Sequence, residues 1–424
     1  MVGKEIYDFT CRLFPINRYL MGEGVRKTLL SIKEIIPEMQ ICEVPSGTKV
    51  FDWTVPLEWK VREAYIENER KERIIDFKKN NLHVVAYSDS IDEWMPLKKL
   101  KEYIHTDKEH ADAVPYVTSY YNDHIGMCMS ERQLNALPEG NYHLYIDSEK
   151  VKGSLTYGEI IFKGDTDDEL LFHSVICHPS LANDELSGVT LAAFLAREIK
   201  KMRGHRYTYH FIFVPETIGA ITYLAKNLLY LKEHVKAGYI LSCEGDNRAY
   251  SYLATIKGNS LADRMAIKIL SELHPDYTKY SFLDRGSDER QYNSPGIDIP
   301  VCLVCRSKAG EFPEYHTSND NLDFVCPEGF QGSFEVFMSI IKLFEKNKSY
   351  RTKVLCEPQL GRRGLYSNVS FSGSKTPYKV IVDFFAYSNG DNDLIAMSDI
   401  LGVPWERLNE IAEILLEQNL IEEV

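Results

Sequence analysis

His178, Asp184, Glu216, Glu244 and His316 are the residues of this chain whose types and spacing could do chemistry together. Each follows a short apolar run. After LLFHSVIC come His178 and Asp184; after YHFIFVP comes Glu216, in PETIGA; after AGYILSC comes Glu244, in CEGD. After IPVCLVCRS and a short loop comes His316, in EYHTSND. Imidazoles and carboxylates delivered in succession at strand ends make a metal-site pattern. Two neutral imidazoles with carboxylates suit zinc, and a catalytic zinc keeps three protein ligands and one open position. A carboxylate outside the ligand set can then take a proton from water. Taken singly, each residue also has a plainer reading. His178 would be a loop histidine, Asp184 or Glu216 a helix-capping acid, and Glu244 a group behind the ligands.

The elements that must position these groups follow from periodicity. Strands are expected at Leu170–Ile176, Tyr207–Val214, Ala237–Leu241 and Ile299–Val304. Helices are expected at Glu185–Lys200, Ile218–Lys232 and Ser260–Leu273. Strands alternating with helices imply a mostly parallel sheet with helices on both faces. Such sheets keep their sites at the carboxyl ends of the strands. Residues 1–40 read as helices broken by GEG at 22–24, packing on the same sheet.

Between Gly47 and Leu144 the texture changes to β-branched and aromatic runs such as KVFDWTVPLEWKVREAYIE. This predicts a mainly β domain inserted at 47–144, within an α/β domain built from 1–46 and 145–350. Its aromatic residues read as a small β core rather than a binding face. From 376 to 424 three helix candidates follow: KVIVDFFAYSNG, DLIAMSDILG and PWERLNEIAEILLEQ. They suggest a winged-helix module. Residues 377–424 hold two basic side chains, Lys379 and Arg407, against ten acidic ones. That balance opposes nucleic acid as a partner. Oligomerisation or docking of a protein partner through this tail is the expectation.

Composition agrees. The chain of 424 residues is long enough for more than one domain. Its net charge of −13 opposes a broad nucleic-acid or anionic-membrane surface. No apolar run could span a bilayer, and MVGKEIYDFTCRLFP lacks the apolar core of a signal peptide. Nine cysteines are scattered without a paired framework, which suits a reducing cytoplasm. Cys302 and Cys305 would face opposite sides of a strand, so they do not form a metal knuckle.

HPSLANDELSG, PETIGA, CEGD, GSDER and YHTSND occur in the order used by zinc aminopeptidases with co-catalytic metal centres. The chain resembles in particular the bacterial aminopeptidase-like proteins often encoded among surface-polysaccharide biosynthesis genes. Those carry an inserted β domain and a C-terminal winged helix. The likeness extends to DWTVPLEWKVREAYI, NNLHVVAYS and GSLTYGE, and so to nearly the whole chain. It implies an α/β fold with a mostly parallel central sheet of zinc-aminopeptidase (phosphorylase/hydrolase-like) type. It implies His178 as a metal ligand, Asp184 as a ligand or bridge, Glu216 as general base and His316 as the distal ligand. Glu244 would sit near an acidic ligand position, and Asp288, in RGSDER, would line the site. Arg306 and Tyr315 flank the last motif and could hold a substrate carboxylate or oxyanion.

Two departures stand out. The peptidases orient the first histidine with an aspartate two residues on; here that residue is Ser180. They follow the base with a second, ligating glutamate; here it is Thr217. One zinc is therefore expected rather than two, held by His178, Asp184 and His316 with Glu244 as a fourth ligand. The implied activity is hydrolysis of a peptide or amide bond in a small substrate. The alternative is a catalytically reduced, metal- or ligand-binding partner in polysaccharide biosynthesis. A DNA-binding regulator would rest on the tail's helical pattern alone.

Overall fold

The apolar runs become strands of one eight-stranded sheet. In chain order these are β1 (Gln40–Pro45), β2 (Ser154–Phe162), β3 (Glu169–Val175), β4 (Thr208–Val214), β5 (Val235–Leu241), β6 (Ser251–Leu253), β7 (Thr278–Tyr280) and β8 (Val301–Cys305). A computed structural model describes residues 1–365 and 377–424. It divides into two units, Met1–Met338 and Ser339–Val424.

The spatial order of the sheet is β1-β2-β4-β3-β5-β8-β6-β7. The four neighbours β4, β3, β5 and β8 are parallel. Antiparallel pairs lie outside them: β1 with β2, β2 with β4, and β6 with β8. Every residue of β3 and β4 is buried, as expected for strands covered on both faces. Helix Ser187–Ile199 follows β3, and its SGVTLAAFLA run is buried throughout. Helix Val2–Leu13 packs on it, with Thr10 Oγ1 2.8 Å from Thr190 Oγ1. Helices Ile218–His234 and Leu261–Leu273 complete the layers, the latter opened by a capping box of Ser260 and Asp263.

The inserted region forms a four-stranded antiparallel sheet in the order Arg73–Asp76, Glu58–Asn68, Asn141–Val151, Ile91–Pro96. Gln40–Pro45, within the 1–46 segment expected in the α/β domain, is a strand of the main sheet, paired with β2. The far end of the insertion differs from that expected. Asn141–Val151 pairs along nearly all of Glu58–Asn68, so the small sheet runs past Leu144 to Val151. Some of the aromatic residues are core: Trp59 stacks on Tyr87 at 5.8 Å and donates Nε1–H to the Ser88 carbonyl at 2.8 Å, whereas Phe51, Trp53, Trp94 and Tyr121 are exposed.

The second unit has the expected three helices, at Pro377–Tyr387, Leu394–Leu401 and Trp405–Glu417. A three-stranded sheet accompanies them, ordered Asn389–Asp393, Ser349–Thr352, Ile421–Glu423. The first strand of the module thus lies well before 376, a position outside the described residues. Gly402, at φ 62°, ends the Leu394–Leu401 helix in the left-handed conformation. Among the described residues no helix is long and apolar enough to cross a membrane.

Candidate metal centre

The loop after β3 carries His178, Asp184 and Glu185 and leads straight into helix Ser187–Ile199. It is tied down from a distance. The Asp320 carboxylate accepts the backbone N–H groups of Ala182, Asn183 and Asp184 at 3.1, 2.6 and 2.8 Å. Burial pushes the Asp320 carboxyl up to about 7, against those hydrogen bonds. Asn183 Oδ1 in turn accepts from the N–H groups of Gly245 and Asp246, stitching this loop to the one after β5. Five side-chain-bearing residues around the site have positive φ: Ser180, Glu185, Thr217, Cys243 and His316. Each such conformation costs about 1–3 kcal/mol and persists where surrounding bonds over-determine it.

Three donor atoms meet here. Asp184 Oδ2 lies 3.3 Å from His178 Nδ1 and 3.0 Å from His316 Nε2. The two rings are 5.4 Å apart, nearly perpendicular. All three atoms are buried and none makes a hydrogen bond. Buried polar atoms without partners are rare, and three facing one point have the chemistry of a donor set that could hold a cation. Ligands at about 2.0–2.2 Å around a tetrahedral zinc have similar mutual separations, so the residues fit the ion. Burial opposes charge on His178, but Glu185 and Asp184 outweigh it and hold the ring well above the usual imidazole range. Burial likewise opposes charge on Asp184, yet His178 and His316 hold its carboxyl well below the usual range.

Ser180 takes no part. Its hydroxyl accepts from Asn81 Nδ2 at 2.7 Å and donates to the Phe14 carbonyl. Glu185 stands at the His178 ring instead, with Oε1 3.1 Å from Nε2. Its Oε2 accepts the N–H groups of Cys177 and His178 at 3.0 and 2.9 Å. Burial raises the Glu185 carboxyl to about 8, opposed by the His178 ring. From the inserted region, Tyr116 packs its ring edge-on against both imidazoles, at 4.8 and 5.1 Å. Its N–H bonds the His316 carbonyl at 2.7 Å. Nothing in the insertion's composition marks Tyr116 for this place; Glu185 could have been found beside Asp184 in ANDELSG.

Glu216 follows β4, its Oε2 3.7 Å from His178 Nε2. Thr217, at φ 60° and ψ −77°, turns the chain sharply, and Ile218 N–H closes on the Glu216 carbonyl at 2.7 Å. Asp288 does not line the pocket. It is fully buried beneath this turn, accepting Thr217 N–H at 2.8 Å and facing His173 Nε2 at 3.0 Å. His173 Nδ1 meets the Tyr292 hydroxyl at 2.9 Å. Arg290 donates to Thr217 Oγ1 at 2.7 Å, where the resemblance leads one to expect an acidic ligand.

The expected place of Glu244 is corrected by one residue. Cys243 lines the pocket, its Sγ 3.9 Å from Asp184 Oδ1. Glu244 is buried away from the donor cluster, where desolvation raises its carboxyl well above the usual range against Ser333 and Arg306. Cys243 adopts φ 58°, and that reversal turns the next side chain away from the site. Arg306 is likewise absent from the pocket wall. It is buried over the Tyr250 ring at 3.7 Å and donates to Asn247 Oδ1. Tyr315 does line the pocket, stacked on His316 with centroids 3.9 Å apart.

A parallel sheet core with this donor cluster at its strand ends defines a zinc-aminopeptidase-like fold. The zinc aminopeptidase of Bacillus subtilis matches with a TM-score of 0.58 and 14% identity, over 81% of this chain and 94% of that one. A peptidase M28 precursor from Shewanella amazonensis matches with a TM-score of 0.58 and 12% identity, over 84% and 98%. The chain belongs to the family described as a domain of unknown function, DUF4910, which matches residues 7–347. A winged helix-turn-helix family matches residues 348–423. A Clostridium acetobutylicum protein, named for polysaccharide biosynthesis and an aminopeptidase-like domain, is 41% identical over 99% of this chain and 96% of its own length. A crystal structure of a candidate peptidase from the same organism matches with a TM-score of 0.93 and 39% identity, over 100% and 97%.

Proposed function

We propose that this chain is a zinc-dependent, aminopeptidase-like hydrolase that cleaves a peptide or amide bond of a small substrate. The observation that carries this reading is the meeting of His178 Nδ1, Asp184 Oδ2 and His316 Nε2, buried and without hydrogen bonds. One ion suits the site better than two, since Thr217 offers no carboxylate and is bonded to Arg290. Zinc held there would supply Lewis-acid polarisation of a carbonyl and acidification of water. Glu216 takes the proton from the attacking water and returns it to the leaving amine nitrogen. Glu185 fixes the His178 ring through Nε2, leaving Nδ1 for the ion. Tyr315 fixes His316 by stacking and borders the substrate space.

Zinc content by mass spectrometry, with hydrolysis of aminoacyl anilides by wild type and Glu216→Gln, tests this. About one zinc per chain and a rate loss of about 10²–10⁴-fold are expected. Equal rates in the two proteins would remove the hydrolase reading.

A second reading is a binding protein with reduced catalysis, favoured by Thr217 and by Cys243 where carboxylates would strengthen a second ion site. The relative named for polysaccharide biosynthesis supports it as a partner in such an assembly. A small metabolite retained through purification, with no turnover, would be its signature. The acidic tail then docks a protein rather than nucleic acid. Nine cysteines, all free, agree with a cytoplasmic setting.

A further inference from the structure

Lys308 lines the same pocket as the donor cluster. Only 9% of it is exposed. Its ammonium donates to the Ala309 carbonyl at 3.1 Å and stands 5.1 Å from the centre of the Tyr280 ring. Among the described residues no carboxylate pairs with it. Two of its three donors are therefore unspent in a nearly buried position. A charge so placed costs desolvation that one hydrogen bond and a distant ring offset only in part and a counter-ion would repay.

The acids of the pocket are committed elsewhere. Asp184 faces the two imidazoles, Glu185 serves two backbone N–H groups and the His178 ring, and Glu216 sits beside that ring. Once a divalent ion balances Asp184, Lys308 is the fixed side-chain cation left on the wall. Leu303, Cys305 and Ala309 around it lower the local polarity, which strengthens an ion pair with whatever enters.

We infer that Lys308 is the specificity residue of this pocket and pairs with a carboxylate of the substrate. The inference rests on the hydrolase reading and narrows it to short peptides or amino-acid amides bearing a negative charge near the cleaved bond. That carboxylate belongs either to an acidic side chain or to the end of a very short peptide.

The test uses the full chain loaded with zinc, its metal content measured first. Calorimetry compares glutamate hydroxamate with glutamine hydroxamate, and alanylalanine with its C-terminal amide. One pair should favour its anionic member by about tenfold or more, and which pair does so tells side chain from chain end. In Lys308→Met the preference should fall to within about twofold of parity, with the neutral probe bound as before. Lys308→Arg should keep part of the preference, and thermal melts of both variants guard against misfolding. Equal affinities in both pairs, no binding of any probe by the zinc-loaded chain, or a preference that survives in Lys308→Met would overturn the assignment. A chain that takes up no zinc would instead remove the hydrolase reading, and Lys308's role with it.

Discussion

Glu185 holds the His178 ring that Ser180 cannot reach. The carboxylate that the resemblance implies two positions after the histidine is supplied instead seven positions after it, by Glu185, because the loop doubles back there with φ 79°. One carboxylate thereby caps the loop's backbone and orients the His178 ring. Losing a group that orients a ligand typically weakens metal binding by about 10–100-fold. Glu185→Gln should show that loss in competition with a zinc chelator, since its single amide oxygen cannot serve both the backbone N–H pair and the imidazole. Unchanged affinity would mean that Tyr116 alone fixes the ring. At this scale the sequence was legible where chemistry and position coincide: His178, Asp184, Glu216, His316 and Tyr315 all reach one pocket or its donor cluster. It was not legible at Glu244, where a single backbone reversal at Cys243 exchanges the neighbour that faces the site. That reversal is set by the Asn183 carbonyl and the Ser187 hydroxyl, which bond the N–H groups of Cys243 and Glu244 from far along the chain.

The strands show why apolar runs were readable and their cross-links were not. β3, β4, β5 and β8 lie within a few residues of the runs that announced them, because strands buried on both faces must be continuously apolar. His210, in β4, breaks that rule, and its pairing across three strands is invisible in one dimension. Its Nδ1 meets Glu169 Oε2 of β3 at 2.8 Å and its Nε2 meets Glu159 Oε1 of β2 at 3.1 Å. Burial opposes a charged ring there, but the hydrogen bonds to Glu159 and Glu169 outweigh it and hold the imidazole at about 8. The folded value lies above the unfolded one of about 6.5, so the fold favours the protonated ring. This stabilisation is complete below pH ~6.5 and is lost as the pH rises through about 8. The shift corresponds to about 2 kcal/mol, or ~3 °C in the melting midpoint of a unit this size. Between pH 6 and pH 9 the midpoint of wild type should therefore fall further than that of His210→Gln. Parallel curves would show that the ring is neutral in the fold.

The chain joins a zinc-aminopeptidase-like fold to a winged helix-turn-helix module, whose charge bears on the partners it can take. The helices of that module were readable from their amphipathic spacing. Its first strand, Ser349–Thr352, was not, since four residues acquire meaning only beside Asn389–Asp393 and Ile421–Glu423. Duplex DNA is bound chiefly through cations that neutralise phosphates. Helix Trp405–Glu417 instead presents Glu406, Glu410, Glu413 and Glu417. The two basic residues of 377–424 are already paired, Arg407 with Glu410 and Lys379 with Asp383. Lys346 is bound by Glu413 at 3.2 Å. Outside 377–424 the chain holds 52 acidic against 47 basic side chains and so stays net negative. The full chain at about 10 μM should leave a mixed-sequence duplex unretarded in a gel at ~50 mM salt, where phosphate-driven binding is strong. A basic polypeptide under the same conditions should be retained, more weakly as salt is raised. A retarded duplex whose affinity falls steeply with salt would show instead that the winged helix finds cations on this surface that the paired side chains do not supply.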